Sequence, residues 1–244
     1  MTHPQPDADD PTPPPAISVH RLQAWYVAGQ NVLDLADFAV PPHTVVGLLG
    51  VNGAGKTTLI NCLSGVHEQV NVEDVQWNGR ASGFGDPGYR ASRYTVFTEH
   101  SGFTYWSFDA YLAFLSRTYR RPIDPAAVAE LSAGFQFEPF RDKTIGALST
   151  GNRKKAYLIA GLALRLPLLI LDEPVDGLDF TGTEFLYDAI NAYREYGSVL
   201  MSSHIAESFE RCCDQLYVMR SGALEGPITD PDALRHVRRL VRGD

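Results

Sequence analysis

Directly after an apolar run the chain reads GVNGAGKTT, Gly50 to Thr58. Three glycines, Gly50, Gly53 and Gly55, crowd in front of Lys56, Thr57 and Thr58. Glycine costs backbone entropy, so such crowding implies that something must approach the main chain closely. Two glycines around four residues, then Lys and a hydroxyl, is the Walker A spacing. In that spacing the backbone around Asn52, Gly53, Ala54 and Gly55 curls N–H groups about phosphate oxygens, and the next helix turns its positive end to the same anion. Lys56 supplies a charge for the β- and γ-phosphates, Thr57 offers a hydroxyl to Mg²⁺, and Thr58 follows at the helix start. A glycine turn that merely joins strand to helix is the alternative, and Lys followed by Thr argues against it.

A second group lies downstream in LLILDEP, Leu168 to Pro174. An apolar strand here delivers Asp172 to its C-terminal edge, where a carboxylate suits Mg²⁺. Glu173 beside it suits a general base that polarises an attacking water. A buried strand ending in Asp-Glu by chance would look the same in isolation. Its position well downstream of a Walker A loop favours the chemistry.

These groups need a frame. The strand pattern HTVVGLLG ends where the glycines begin, and KTTLINCLSG continues with helical spacing, so the loop is a strand-to-helix turn. Before it lie AISVHRLQAWYV and LDLADFAV, a β region broken near Gly29. From about Asp109 to Leu148 the pattern turns helical. Helix and strand then alternate through KKAYLIAGLALRL, PLLILDEP, TGTEFLYDAINAYREYG, SVLMSSH and AESFERCCD, and QLYVMRSGAL closes as a hairpin. Strands alternating with helices predict an α/β fold around a largely parallel sheet covered on both faces.

With 44% apolar residues in 244, the chain can bury a core. Its net charge of −8 sits poorly with nucleic acid as the main partner. No apolar run reaches bilayer length, and the N-terminus lacks signal-peptide character, so a cytoplasmic location is expected. Residues 1–15 are proline-rich and acidic and read as a disordered tail. The three cysteines, Cys62, Cys212 and Cys213, have no metal-ligand spacing and read as reduced thiols in or near the core.

Three further stretches complete a pattern. LSTGN (Leu148 to Asn152) precedes the Asp-Glu strand, DGLD (Asp176 to Asp179) follows it, and SSH with His204 ends the next strand. In this order, with the Walker A loop, the chain resembles the nucleotide-binding subunit of an ATP-binding cassette (ABC) transporter from about Ile17 to Ile228. The resemblance implies a P-loop NTPase core in one ABC ATPase domain, 16–228. It would carry an antiparallel β subdomain and a small α-helical insertion at about 100–150, with a short C-terminal helix at 229–244. It implies ATP and Mg²⁺ as cofactors, and hydrolysis coupled to transport. The partners implied are a membrane-spanning permease, met peripherally on the inner face of the cell membrane, and a second ABC ATPase in a homodimer or heterodimer.

The resemblance also assigns roles by position. Ser149 and Gly151 would touch the γ-phosphate of ATP held by the other subunit, although Thr150 and Asn152 depart from the family's LSGGQ pattern. Asp179 matches the aspartate that couples the two sites, and His204 the histidine that senses the γ-phosphate. Tyr26, with Trp25 as its neighbour, is placed to stack on adenine. Glu99 stands where relatives carry a Mg²⁺-binding glutamine, and His100 partly offsets its charge. Phe103, Tyr105, Trp106 and Phe108 read as an aromatic groove for a helix of the permease, or as packing under the helical insertion. Arg235, Arg238, Arg239 and Arg242 have helical spacing and read as a solvated terminal helix, or as a contact to anionic lipid. The short cassette looks like ABC-2-type exporters. A soluble non-transport ABC ATPase and a low-turnover ATP-dependent regulator stay open as alternatives, and the transported substrate is not legible.

Overall fold

The computed structural model describes residues 14–99, 102–234 and 237. Most of the proline-rich tail, His100 and the four C-terminal arginines lie outside the described residues.

The chain begins with two antiparallel strands, β1 (Ile17–Val27) and β2 (Gln30–Val40). Ile17, Val19, Leu22 and Ala24 point inward from β1 and are almost fully buried. Next, β3 (Val45–Leu49) is buried at all five positions and leads through the glycine loop into α1 (Lys56–Leu63). β4 (Val70–Trp77) returns to pair antiparallel with the free edge of β1, and the two-residue β5 (Arg80–Ala81) pairs with β4. A short α2 (Pro87–Ala91) then leads to β6 (Arg93–Val96).

The middle of the chain is helical: α3 (Phe108–Thr118), α4 (Pro125–Gly134) and α5 (Thr150–Leu164). Each begins at a capping side chain. Ser107, Asp124 and Ser149 accept from the backbone N–H groups of Ala110, Ala126 and Asn152, which would otherwise lack partners. β7 (Leu168–Leu171), α6 (Phe180–Tyr193), β8 (Ser198–Ser203) and α7 (Ala206–Cys212) follow in alternation. β9 (Gln215–Arg220) and β10 (Ala223–Ile228) form the closing hairpin, and α8 (Pro231–Leu234) ends the described elements apart from Val237.

The second sheet runs β10-β9-β3-β8-β7-β6. All its pairings are parallel except β9 with β10. Successive residues on its strands enter different cores, as the period of two requires. Val45, Leu169, Leu171, Val199 and Met201 pack with α5 and α6. Val46, Leu48, Leu168, Ile170 and Leu200 pack with α1 and the antiparallel sheet. Burial on both faces explains why these strands read as unbroken apolar runs.

Two expectations meet the structure differently. All three cysteines are free thiols, and burial pushes Cys62 up to about 12. The aromatic groove, however, loses a member: Phe108 is fully buried against Phe137 in the helical core. As the first residue of α3 it lies on that helix's inward stripe with Tyr111, Leu112 and Leu115. Phe103 and Trp106 stay partly exposed and packed on each other, and Tyr105 is 92% exposed. Among the described residues no helix is long and apolar enough to cross a membrane.

Candidate functional site

The Gly50–Gly55 turn joins β3 to α1, and its glycines answer different needs. A Cβ on Gly50 would stand 2.8 Å from the Met219 carbonyl oxygen, so β9 demands glycine there. Gly55 has φ +112°, and its Cβ would press within 2.7 Å of Leu33. Gly53 has φ +81° with open space around it, so there the backbone conformation alone requires glycine. Lys56 is almost buried and curls back over the loop. Its ammonium donates to the carbonyls of Gly50 (2.7 Å) and Val51 (3.4 Å) and pairs with Glu173 Oε1 at 3.2 Å.

β7 delivers Asp172 to a fully buried position. A buried carboxylate without partners would be costly. Here three hydroxyls from three elements satisfy it: Thr57 Oγ1 (3.0 Å) and Thr98 Oγ1 (2.7 Å) donate to Oδ2, and Ser202 Oγ (2.6 Å) donates to Oδ1. Glu173 follows in the left-handed region at φ 46°, uncommon for a residue with a Cβ. Its N–H donates to Ser202 Oγ at 2.9 Å, which ties the backbones of β7 and β8 at this strained point. The Glu173 side chain is held between two groups. Lys56 takes Oε1, while Oε2 meets His204 Nδ1 at 3.0 Å and the His204 backbone N–H at 3.3 Å.

A cleft of about 520 Å³ opens over these groups. It brings together Tyr26, Asn52, Gly53, Gly55, Lys56, Thr57 and Thr58 with Glu173 and His204. Tyr26 is 60% exposed; its hydroxyl meets Thr58 Oγ1 at 3.2 Å and its ring meets His67 edge-on at 5.0 Å. Gly50 and Ala54 are buried and do not line the cleft; Ala54 donates its N–H to Val51 within the turn.

The remaining expected residues stand apart from it. Ser149 caps α5. A Cβ on Gly151 would collide with the Gly177 carbonyl oxygen, so the start of α5 sits directly on the DGLD turn. Asp179 caps α6 through Gly182 and pairs with Lys155 Nζ at 2.7 Å, which holds its carboxyl below the usual range. Glu99 is exposed in a neighbouring cleft of about 350 Å³ with Thr150, Arg153 and Lys154. It is Thr98, one residue earlier, that reaches Asp172.

Four contributors escaped sequence reasoning. Thr98 and Ser202 fix Asp172 from segments distant in sequence. Lys154 is nearly buried, its Nζ 3.4 Å from the Asp172 carbonyl, and burial lowers its pKa although Asp172, Asp176 and Glu173 oppose that. Asp176 lines both clefts. Only Asp176 had a local signal, a third carboxylate in DEPVDGLD.

Oxygen donors from Thr57 and Asp172, side by side at the mouth of a glycine loop, suit a hard cation such as Mg²⁺. The helix start and Lys56 suit a phosphate chain. Comparison with known proteins agrees. The family model described as ABC transporter matches residues 33–176. A relative named "Putative ABC transporter ATP-binding protein AlbC", of Bacillus subtilis, is 34% identical over 90% of this chain and 95% of its own length. An uncharacterized ABC transporter ATP-binding protein of Methanocaldococcus jannaschii is 29% identical over 85% of this chain and 75% of its own. A solved structure of the ATP-binding subunit of an ABC transporter superposes with a TM-score of 0.78 at 26% identity, covering 94% of this chain and 95% of that one. A bacterial Atm1-family ABC exporter with ATP bound shares the fold, with a TM-score of 0.79 at 19% identity over 97% of this chain and 44% of that one. The chain therefore belongs to the ABC transporter family, as an ATP-binding and ATP-hydrolysing subunit.

Proposed function

We propose that this subunit powers a separate membrane permease of the exporter type, through pairing of two ATPase subunits around ATP. The observation that carries the reading is Glu173, clamped between Lys56 and His204 at the back of the glycine-loop cleft. In this reading the triphosphate lies along Asn52–Thr58 with adenine on Tyr26. The ammonium of Lys56, released from the Gly50 and Val51 carbonyls, turns to the γ-phosphate. Thr57 and Asp172 would hold Mg²⁺, with Glu99 a third candidate ligand from the neighbouring cleft, and the ion would supply positive charge to the phosphates. Once Lys56 moves to phosphate, the Glu173 carboxylate is free to accept a proton from the attacking water, and His204 is free to meet the γ-phosphate. Ser149 and Gly151 act on the nucleotide of the opposing subunit, and Asp179 links the two sites.

The chemistry of the surface supports a membrane partner. Phe103, Tyr105 and Trp106 present aromatic area beside the helical segment, suited to an amphipathic helix. We further propose a domain running 16–228 with the helical insertion at about 100–150, held at the inner face of the membrane by that partner.

Steady-state turnover with Mg²⁺ tests the assignment of Glu173. Glu173→Gln should bind a fluorescent ATP analogue normally yet lose about 10²- to 10⁴-fold in turnover. Turnover near that of wild type would remove Glu173 as the base.

A further inference from the structure

Asp176 is exposed, and among the described residues its carboxylate makes no hydrogen bond or ion pair. It faces two groups already in contact. One ligand atom each from Glu173, Asp176 and His204 lie within 4.8 Å of one another, and Glu173 Oε2 stands 3.0 Å from His204 Nδ1. Ligands bonded to one ion at roughly 2.1 Å stand roughly 3.0 to 3.5 Å apart. The Glu173–His204 pair already has that spacing, and rotation of the exposed Asp176 and His204 side chains closes the third side.

Two carboxylates with one imidazole suit Zn²⁺ and similar borderline transition metals, whereas Mg²⁺ prefers oxygen alone. We infer that the nucleotide-free cleft holds a Zn²⁺-class dication on Glu173, Asp176 and His204, distinct from the Thr57–Asp172 position for Mg²⁺. The other polar contacts of the Glu173 carboxylate are Lys56 on Oε1 at 3.2 Å and the His204 backbone N–H on Oε2 at 3.3 Å. Lys154 is the second cation facing this group. Open coordination positions on the cleft side are left to water. The two lysines weaken the site, Lys56 from the Glu173 side and Lys154 from the side of Asp176 as well.

The functional consequence rests on the role proposed above for Glu173. An ion bound to both Glu173 and His204 ties the base and its neighbour together, so neither meets water or phosphate. Such an ion acts as a brake that nucleotide must displace. The carboxylate of Asp176 is what completes the donor set.

The test is calorimetric titration of the full-length, metal-free, nucleotide-free chain with zinc chloride. One binding event per chain is expected, weakened about tenfold or more by Asp176→Asn and, separately, by His204→Gln. Both side chains are exposed, so each variant keeps the core intact. Zinc binding absent from wild type, or unchanged in both variants, overturns the site. Binding of a fluorescent ATP analogue to the same samples reads the nucleotide cleft independently. Its failure in wild type would sink the function proposed above and leave the zinc titration to stand or fall by itself.

Discussion

The end of β7 and the start of α5 carry the two halves of the proposed chemistry, and the chain treats them differently. At the end of β7, Asp172 is buried under three hydroxyls and Glu173 is gripped on both carboxylate oxygens. At the start of α5, Ser149 and Thr150 are exposed, and apart from the cap to Asn152 no described residue occupies the Ser149 hydroxyl. One half is preorganised inside a single chain, where removing it from water strengthens each charge. The other is a helix start that faces outward and does not line its own glycine-loop cleft. In the proposed function, a site divided in this way is completed by a second subunit that brings its α5 to the first subunit's cleft.

The sharpest way to break the comparison is Gly151→Ala. The new Cβ meets the Gly177 carbonyl, a backbone atom that moves only with the whole DGLD turn. Displacement on the scale of an ångström should lower turnover roughly tenfold to hundredfold. ATP binding, measured by fluorescence, should change far less than turnover, because Asp176 alone of that turn lines the cleft. Equal loss of binding would show that the two halves are not separate.

Tyr26→Ala probes the preorganised half alone. Losing a stacking surface costs on the order of 1 to 2 kcal/mol, so the KM for ATP should rise about five- to thirtyfold with kcat little changed. Tyr26→Phe, which removes only the hydroxyl near Thr58, should behave nearly as wild type. A Tyr26→Ala enzyme with unchanged KM would place adenine elsewhere.

The smallest effect concerns Asp179 on the outward half. The hydrogen bond from Lys155 holds the Asp179 carboxyl below the usual carboxylate range. The stabilisation is therefore present above the unfolded value and fades as pH falls through the folded one. Because the Asp179 side chain is 58% exposed, the effect should be about 1 kcal/mol or less. Asn also caps a helix, so Asp179→Asn isolates the ion pair. Melting curves of wild type and variant should differ near neutral pH and converge in acid. A constant gap down to low pH would argue against the ion pair as the cause.

How much of this was legible depended on distance along the chain. The glycine loop and the Asp172–Glu173 strand end are local patterns, and each stands in the structure on the element read for it. The hold on Asp172 was not legible, because Thr98, just past β6, and Ser202, on β8, reach it from segments distant in sequence and carry no mark as lone hydroxyl residues. The strand Val70–Trp77 was missed because its alternation slips by one residue between Val72 and Val75 and only Val75 is buried. Phe108 was left open between a surface groove and packing under the helical insertion, because a run of aromatics does not announce which member begins a helix; its burial favours the packing. The contact of Gly151 with Gly177 joins two turns that sequence spacing alone cannot place together.

The central claim is that ATP at one subunit's glycine loop waits for the other subunit's α5. Light scattering on Glu173→Gln with Mg²⁺ and ATP measures this most directly, since the variant is expected to bind nucleotide without splitting it. The mass should move from one chain to two on adding ATP, and Gly151→Arg in the same background should block the change. A mass that stays at one chain at saturating ATP would contradict the shared site.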